Sequence, residues 1–153
     1  MLILKGGKGN DTLVTGGYQT VLVGHADDET YDSGADTFRI TSNKQHVLVG
    51  IGTTDKIQIL STATTPALTA ADVSALTVSA VSATDTNPPP RYYTDAASTV
   101  LGPAPLKVNI NNKMTLWVYT TLKEGTSYSA AANLTAVATF LKSKITVAAN
   151  FTD

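Results

Sequence analysis

Gly6-Gly7-Lys8-Gly9-Asn10-Asp11-Thr12-Leu13-Val14 is a nonapeptide with glycine first, second and fourth, aspartate sixth and an apolar residue eighth. Nine residues on, Thr15-Gly16-Gly17-Tyr18-Gln19-Thr20-Val21-Leu22-Val23 keeps Gly16 and Leu22 but carries Thr20 at the acidic position. Gly24-His25-Ala26-Asp27-Asp28-Glu29-Thr30-Tyr31-Asp32 follows, with Glu29 at that position and Tyr31 at the apolar one. Gly34-Ala35-Asp36-Thr37-Phe38 then restores the second half of the pattern two residues early. Leu4, Leu13, Leu22 and Tyr31 are nine apart, so the apolar register starts before the first glycine. Self-similarity at a fixed short period marks a chain that stacks equivalent units on one another.

Six turn residues followed by three strand residues make half a coil. The glycines permit positive φ and close backbone approach. Inward-pointing carbonyls and one carboxylate per turn are the hard oxygen set that Ca²⁺ prefers. If successive half-coils alternate sides, turns 18 residues apart share an edge, pairing the Asp11 turn with the Glu29 turn and the Thr20 turn with the Asp36 turn. Between Gly24 and Asp36 lie five acids (Asp27, Asp28, Glu29, Asp32, Asp36) and no Lys or Arg, so this stretch repels itself unless a cation neutralises it.

These repeats resemble the RTX family, the glycine- and aspartate-rich nonapeptide repeats of secreted bacterial proteins. The resemblance implies a parallel β-roll in which each Ca²⁺ sits between two stacked turns. The implied ligands are the carboxylates of Asp11, Asp27, Glu29 and Asp36 and the turn residues Gly6, Lys8, Gly24 and Ala26. The Asp11/Glu29 edge is expected to bind better, because the other edge has lost one acid at Thr20. Residues 36–60 resemble what commonly follows such repeats: an Ala-Asp-Thr-Phe strand, then a Gly-x-x-Asp-Lys-Ile strand closing the roll. The ending Ile145-Thr146-Val147-Ala148-Ala149-Asn150-Phe151 resembles the last strand of many RTX proteins, whose uncleaved C-terminus carries a type I secretion signal.

The remaining chain reads as follows. Residues 61–90, rich in Ser, Thr, Ala and Pro, read as a linker or an ordered surface loop. Thr69-Ala70-Ala71-Asp72 has capping-box character, so a short helix is expected over Leu68 to Leu76. Strands are expected at Leu106 to Ile110 and Met114 to Thr121, with Asn111-Asn112 and Lys123-Glu124-Gly125 as turns. In Leu134 to Leu141 the apolar spacing fits a helix, but Thr135, Val137 and Thr139 are β-branched, and a strand is the expectation. The fold class is therefore all-β: a short parallel β-roll over residues 1–60 continuing into a β-rich capping and secretion region over 61–153, with room for one or two short helices. So few coils need a cap, from this region or from a neighbouring subunit.

Composition narrows the function. The chain has 153 residues, 42% hydrophobic and 15% charged, with net charge -1 and no cysteine. Near-neutral charge gives no basis for nucleic-acid binding, and no apolar run is long enough to insert in a membrane. Met1 to Lys5 is too short for a signal peptide, so export without one is expected, to the cell surface or beyond. His-Glu-x-x-His, Gly-x-Ser-x-Gly and phosphate-binding glycine loops are all absent, so no enzyme is expected. His25 and His46 read as surface or packing residues. Trp117 with Tyr119, and Tyr92 with Tyr93, read as core or contact aromatics, with a sugar platform as the alternative.

The expectation is a secreted, calcium-binding structural protein whose partner is itself. Its Met1 to Lys5 strand, or the end of the roll beside it, is expected to meet a neighbour's C-terminal part. One alternative is the C-terminal module of a larger secreted hydrolase. The other is an adhesin-like module that binds cell-surface polysaccharide.

Overall fold

The computed structural model describes residues 2–24, 34–81, 84–85, 105–119 and 134–151. Six short strands come first: β1 (Leu2–Lys5), β2 (Thr12–Val14), β3 (Thr20–Val23), β4 (Thr37–Ile40), β5 (Val47–Val49) and β6 (Lys56–Leu60). After them come α1 (Ala70–Ser74), β7 (Leu76–Ser79), β8 (Leu106–Ile110), β9 (Met114–Val118), α2 (Leu134–Lys144) and β10 (Ile145–Ala148). The protein is thus mostly β, as composition leads one to expect. One sheet has the order β1-β3-β5-β9-β8-β7 and the other β10-β6-β4-β2. The first six strands alternate between the sheets, each pairing in parallel with the strand two places on. Strands from before and after residue 60 share both sheets, since β9 pairs with β5 and β10 with β6.

The register departs from a uniform 18-residue step. Leu4 pairs with Leu22, as nine-residue half-coils require, but Leu13 pairs with Phe38 and Leu22 with Leu48. The reason is the connection from β3 to β4, which runs from residue 24 to 36 and is about twice a six-residue turn. Asp36-Thr37-Phe38 therefore lies beside Asp11-Thr12-Leu13. The expected pairing of the Thr20 turn with the Asp36 turn is incorrect: Asp36 neighbours Asp11, and Thr20 neighbours His46.

Equivalent residues stack into rows at the ~4.8 Å strand spacing. Leu4, Leu22, Leu48 and Val118 form one inward row, and Leu13, Phe38, Ile57 and Ile145 the facing one. Both rows belong to one hydrophobic core. The opposite face of the first sheet carries a second cluster of Val21, Val23, Val47, Val49, Trp117 and Tyr119, with Val81 packed on it. β3 and β5 are therefore buried on both faces, which their continuous apolar runs require.

Leu134–Lys144 is a helix, which corrects the expected strand. Val137 and Leu141, four apart, are buried, and the helix packs on β7. Helix propensity penalises a β-branched residue by under ~0.7 kcal/mol. Burying one large apolar side chain returns ~1.5–3 kcal/mol, so the packed stripe wins. Residues 61–81 are more structured than a linker or loop: they contain α1, begun by the expected Thr69–Asp72 capping box, and the strand β7.

The two ends of the stack differ. At one end α2 packs on β7 and α1 lies against β10, the last strands of the two sheets. At the other end β1 and β2 are outermost, and Leu2, Ile3 and Val14 are 53%, 46% and 42% exposed.

Candidate functional site

The turns entering β2, β4 and β6 stack along one edge. Gly6 N–H donates to the Val23 carbonyl at 2.9 Å, and Gly24 N–H repeats this one coil on, to Val49 at 3.1 Å. Each turn ends in an aspartate followed two residues later by a core side chain: Asp11 and Leu13, Asp36 and Phe38, Asp55 and Ile57. The aspartates form a ladder. Asp11 N–H donates to Asp36 Oδ1 at 2.8 Å, and Asp36 N–H donates to Asp55 Oδ1 at 2.7 Å. Gly52 N–H donates to Asp55 Oδ2. In return, Thr37 N–H donates to the Asp11 carbonyl and Lys56 N–H to that of Asp36. Asp36 and Asp55 are 1% and 2% exposed, so their charge rests on backbone amides that would otherwise be buried without an acceptor.

Asp11 heads the ladder and breaks the pattern. Its Oδ2 is buried with no hydrogen-bond partner among the described residues. The carboxylate tucks over Gly6, where a Cβ would lie 2.8 Å from Oδ2. Gly7 and Gly9, at φ +89° and +100°, give the turn a backbone path that other L residues rarely take. A buried carboxylate oxygen without a donor is costly, and a cation beside it removes that cost. Among the described residues, Asp11 is thus the one carboxylate of the ladder with a buried oxygen left without a donor. Gly24 is shaped like Gly6: a Cβ there would lie 3.0 Å from Asp36 Oδ2 and 2.8 Å from Phe38. The Asp36 carboxylate, unlike that of Asp11, already accepts an amide.

The expected ligands Ala26, Asp27 and Glu29 lie outside the described residues, as do His25, Asn87–Pro90, Lys123–Gly125, Tyr92 and Tyr93. Among the described residues no group of three or more His, Asp or Glu is placed to hold a metal. Nor is any described helix long and apolar enough to cross a membrane.

On the opposite edge a histidine takes the place of the aspartate. Thr20 N–H donates to His46 Nδ1 at 3.1 Å, and Trp117 N–H to the His46 carbonyl at 2.9 Å. With Nδ1 accepting, the proton of the neutral ring is on Nε2, which faces the Ser42 carbonyl at 3.0 Å and Ser42 Oγ at 3.1 Å. His46 is fully buried. Burial lowers its pKa from the usual 6.5, opposed by the bond to Ser42. Sequence alone reads His46 as a surface or packing residue and Asp55 as part of the Gly-x-x-Asp-Lys-Ile strand. The signal for both was legible, since His46-Val47-Leu48 and Asp55-Lys56-Ile57 repeat the spacing of Asp11-Thr12-Leu13.

Trp117 and Tyr119 are 1% and 7% exposed in the second cluster. They are core aromatics and offer no open ring face to a sugar.

Comparison with protein-family models, with curated proteins and with solved structures found no match to this chain.

Proposed function

We propose that this chain is an exported calcium-binding structural protein whose N-terminal coils form an RTX-type β-roll and which associates with its own kind outside the cell. The observation carrying the proposal is Asp11, a buried carboxylate oxygen without a donor over a glycine-rich turn, at the head of a ladder whose other members are satisfied. The acids from Asp27 to Asp36 add local negative charge for a cation to offset. Low calcium inside the cell would leave these acids repelling one another and the coil loose enough for export. Extracellular calcium would then order it.

Calcium titration by calorimetry tests this, with Asp11→Asn as the comparison. An extracellular site of this kind has a Kd of roughly 10⁻⁴ to 10⁻³ M. Absence of any binding heat in the millimolar range refutes the proposal.

A second reading is the terminal module of a larger secreted hydrolase. What favours it is the asymmetry of the stack, with helices against one end and open strands at the other. The length of the native reading frame separates the two.

A further inference from the structure

We infer that the open end of the coil stack, formed by β1 and β2, binds the same end of a second copy of this chain in a closed two-fold dimer. The inference rests on the self-associating reading above and names its surface. Among the described residues both sheets end here on a strand with one unpaired edge, β1 in one and β2 in the other. Leu2 and Ile3 stand out of β1, while Thr20 and Val21, which pair with them one coil inward, are buried; Val14 is exposed on β2 beside the half-buried Arg39. An open strand edge is a template for another chain.

The occupant follows from the other end and from register. A head-to-tail neighbour would have to offer β10 to β2. That strand leaves directly from α2, so at the position facing Asp11 the amide is helical and already engaged. Among the described residues the open end carries no such obstruction. Two copies joined through it are related by a two-fold axis, and their strands run antiparallel, a pairing in which each edge complements itself. Centred on Leu13, antiparallel β2 strands bring Asp11 of each copy to the Thr15-Gly16-Gly17 turn of the other. Gly16 and Gly17 are exposed and have open space around them.

Sedimentation and light scattering in millimolar calcium test this. The wild type should show twice the 16.0 kDa chain mass. Val14→Lys and Leu2→Lys, which leave the Asp11 turn intact, should each give a monomer with an unchanged circular dichroism spectrum. Thr146→Lys on β10 should remain a dimer. A wild-type monomer at the highest concentration reached overturns the dimer, as do filaments that grow with concentration or dissociation by Thr146→Lys alone. Calorimetry on the same samples separates the two proposals: a calcium-binding monomer refutes the dimer and self-association but leaves the calcium site, filaments refute the dimer but leave self-association, and a dimer without calcium binding refutes only the calcium site.

Discussion

The Thr20 amide donates to Nδ1 of His46, where on the opposite edge the Asp11 and Asp36 amides donate to aspartate carboxylates. One edge of the stack is therefore closed by anions and the other by a neutral ring. The two edges should respond differently to acid.

His46 has its pKa lowered in the folded state, so the unfolded chain binds its proton first. Its contribution is complete above pH 6.5 and is lost as pH falls below that value. Protonated Nδ1 can no longer accept the Thr20 amide, a loss of about 1–3 kcal/mol. Thermal unfolding should show stability falling between pH 7 and pH 5.5. His46→Asn, whose Oδ1 can take the place of Nδ1, should flatten that slope. An unchanged slope in this variant would place its origin elsewhere.

Asp11 and Asp36 should separate cleanly. Asp36→Ala leaves the half-buried Asp11 amide without its acceptor and should cost about 1–3 kcal/mol with or without calcium. Asp36→Asn keeps an acceptor and should cost less. Asp11→Asn removes a buried charge that has no donor, so it should leave stability unchanged or raised in chelator. It should also abolish the gain from calcium, which for one site at 1 mM is about 0.4–1.4 kcal/mol. Unfolding with and without calcium checks all three variants. Equal calcium responses from Asp11→Asn and wild type would remove Asp11 from the site.

The α1 cap should govern stability at low pH. Asp72 accepts from Asn111 Nδ2 at 2.7 Å, from Lys113 Nζ at 2.9 Å and from the Thr69 amide at 2.8 Å. These bonds, led by that from Asn111, hold its carboxyl well below the usual carboxylate range. Their stabilisation is complete above that range and is lost as pH falls below it toward the lowered folded-state value. Acid unfolding of Asn111→Ala should therefore begin at higher pH than that of the wild type. Thr69→Ala, which removes the helix N-cap, should cost about 0.5–2 kcal/mol by denaturant titration.

Position in the stack should grade the core. Leu22 is fully buried between coils, whereas Leu13 lies in an outermost strand at 8% exposure. Leucine-to-alanine substitutions in cores cost about 2–5 kcal/mol. Leu22→Ala should fall near the top of that range and Leu13→Ala near the bottom. Denaturant midpoints at constant m-value measure the difference, and equal losses would contradict an open end at β2.

The β-rich character, most strand positions and the capping box at Thr69 were legible in the sequence, because each depends on residues within one turn or strand of one another. Asp11-Thr12-Leu13 needs only local geometry to end a turn, begin a strand and point a leucine inward. Which turns stack is a different matter. It depends on how much chain lies between strands, and the long connection after β3 moved Phe38, and with it Asp36, into the place expected for the third repeat. The fates of Val137 and Trp117 were equally non-local. Val137 joined a helix because β7 offered an apolar face to bury against. Trp117 became core because the first sheet is covered on both faces. Local preferences amount to tenths of a kcal/mol per residue and burial of a large side chain to ~1.5–3 kcal/mol, so where the two disagreed the tertiary structure decided.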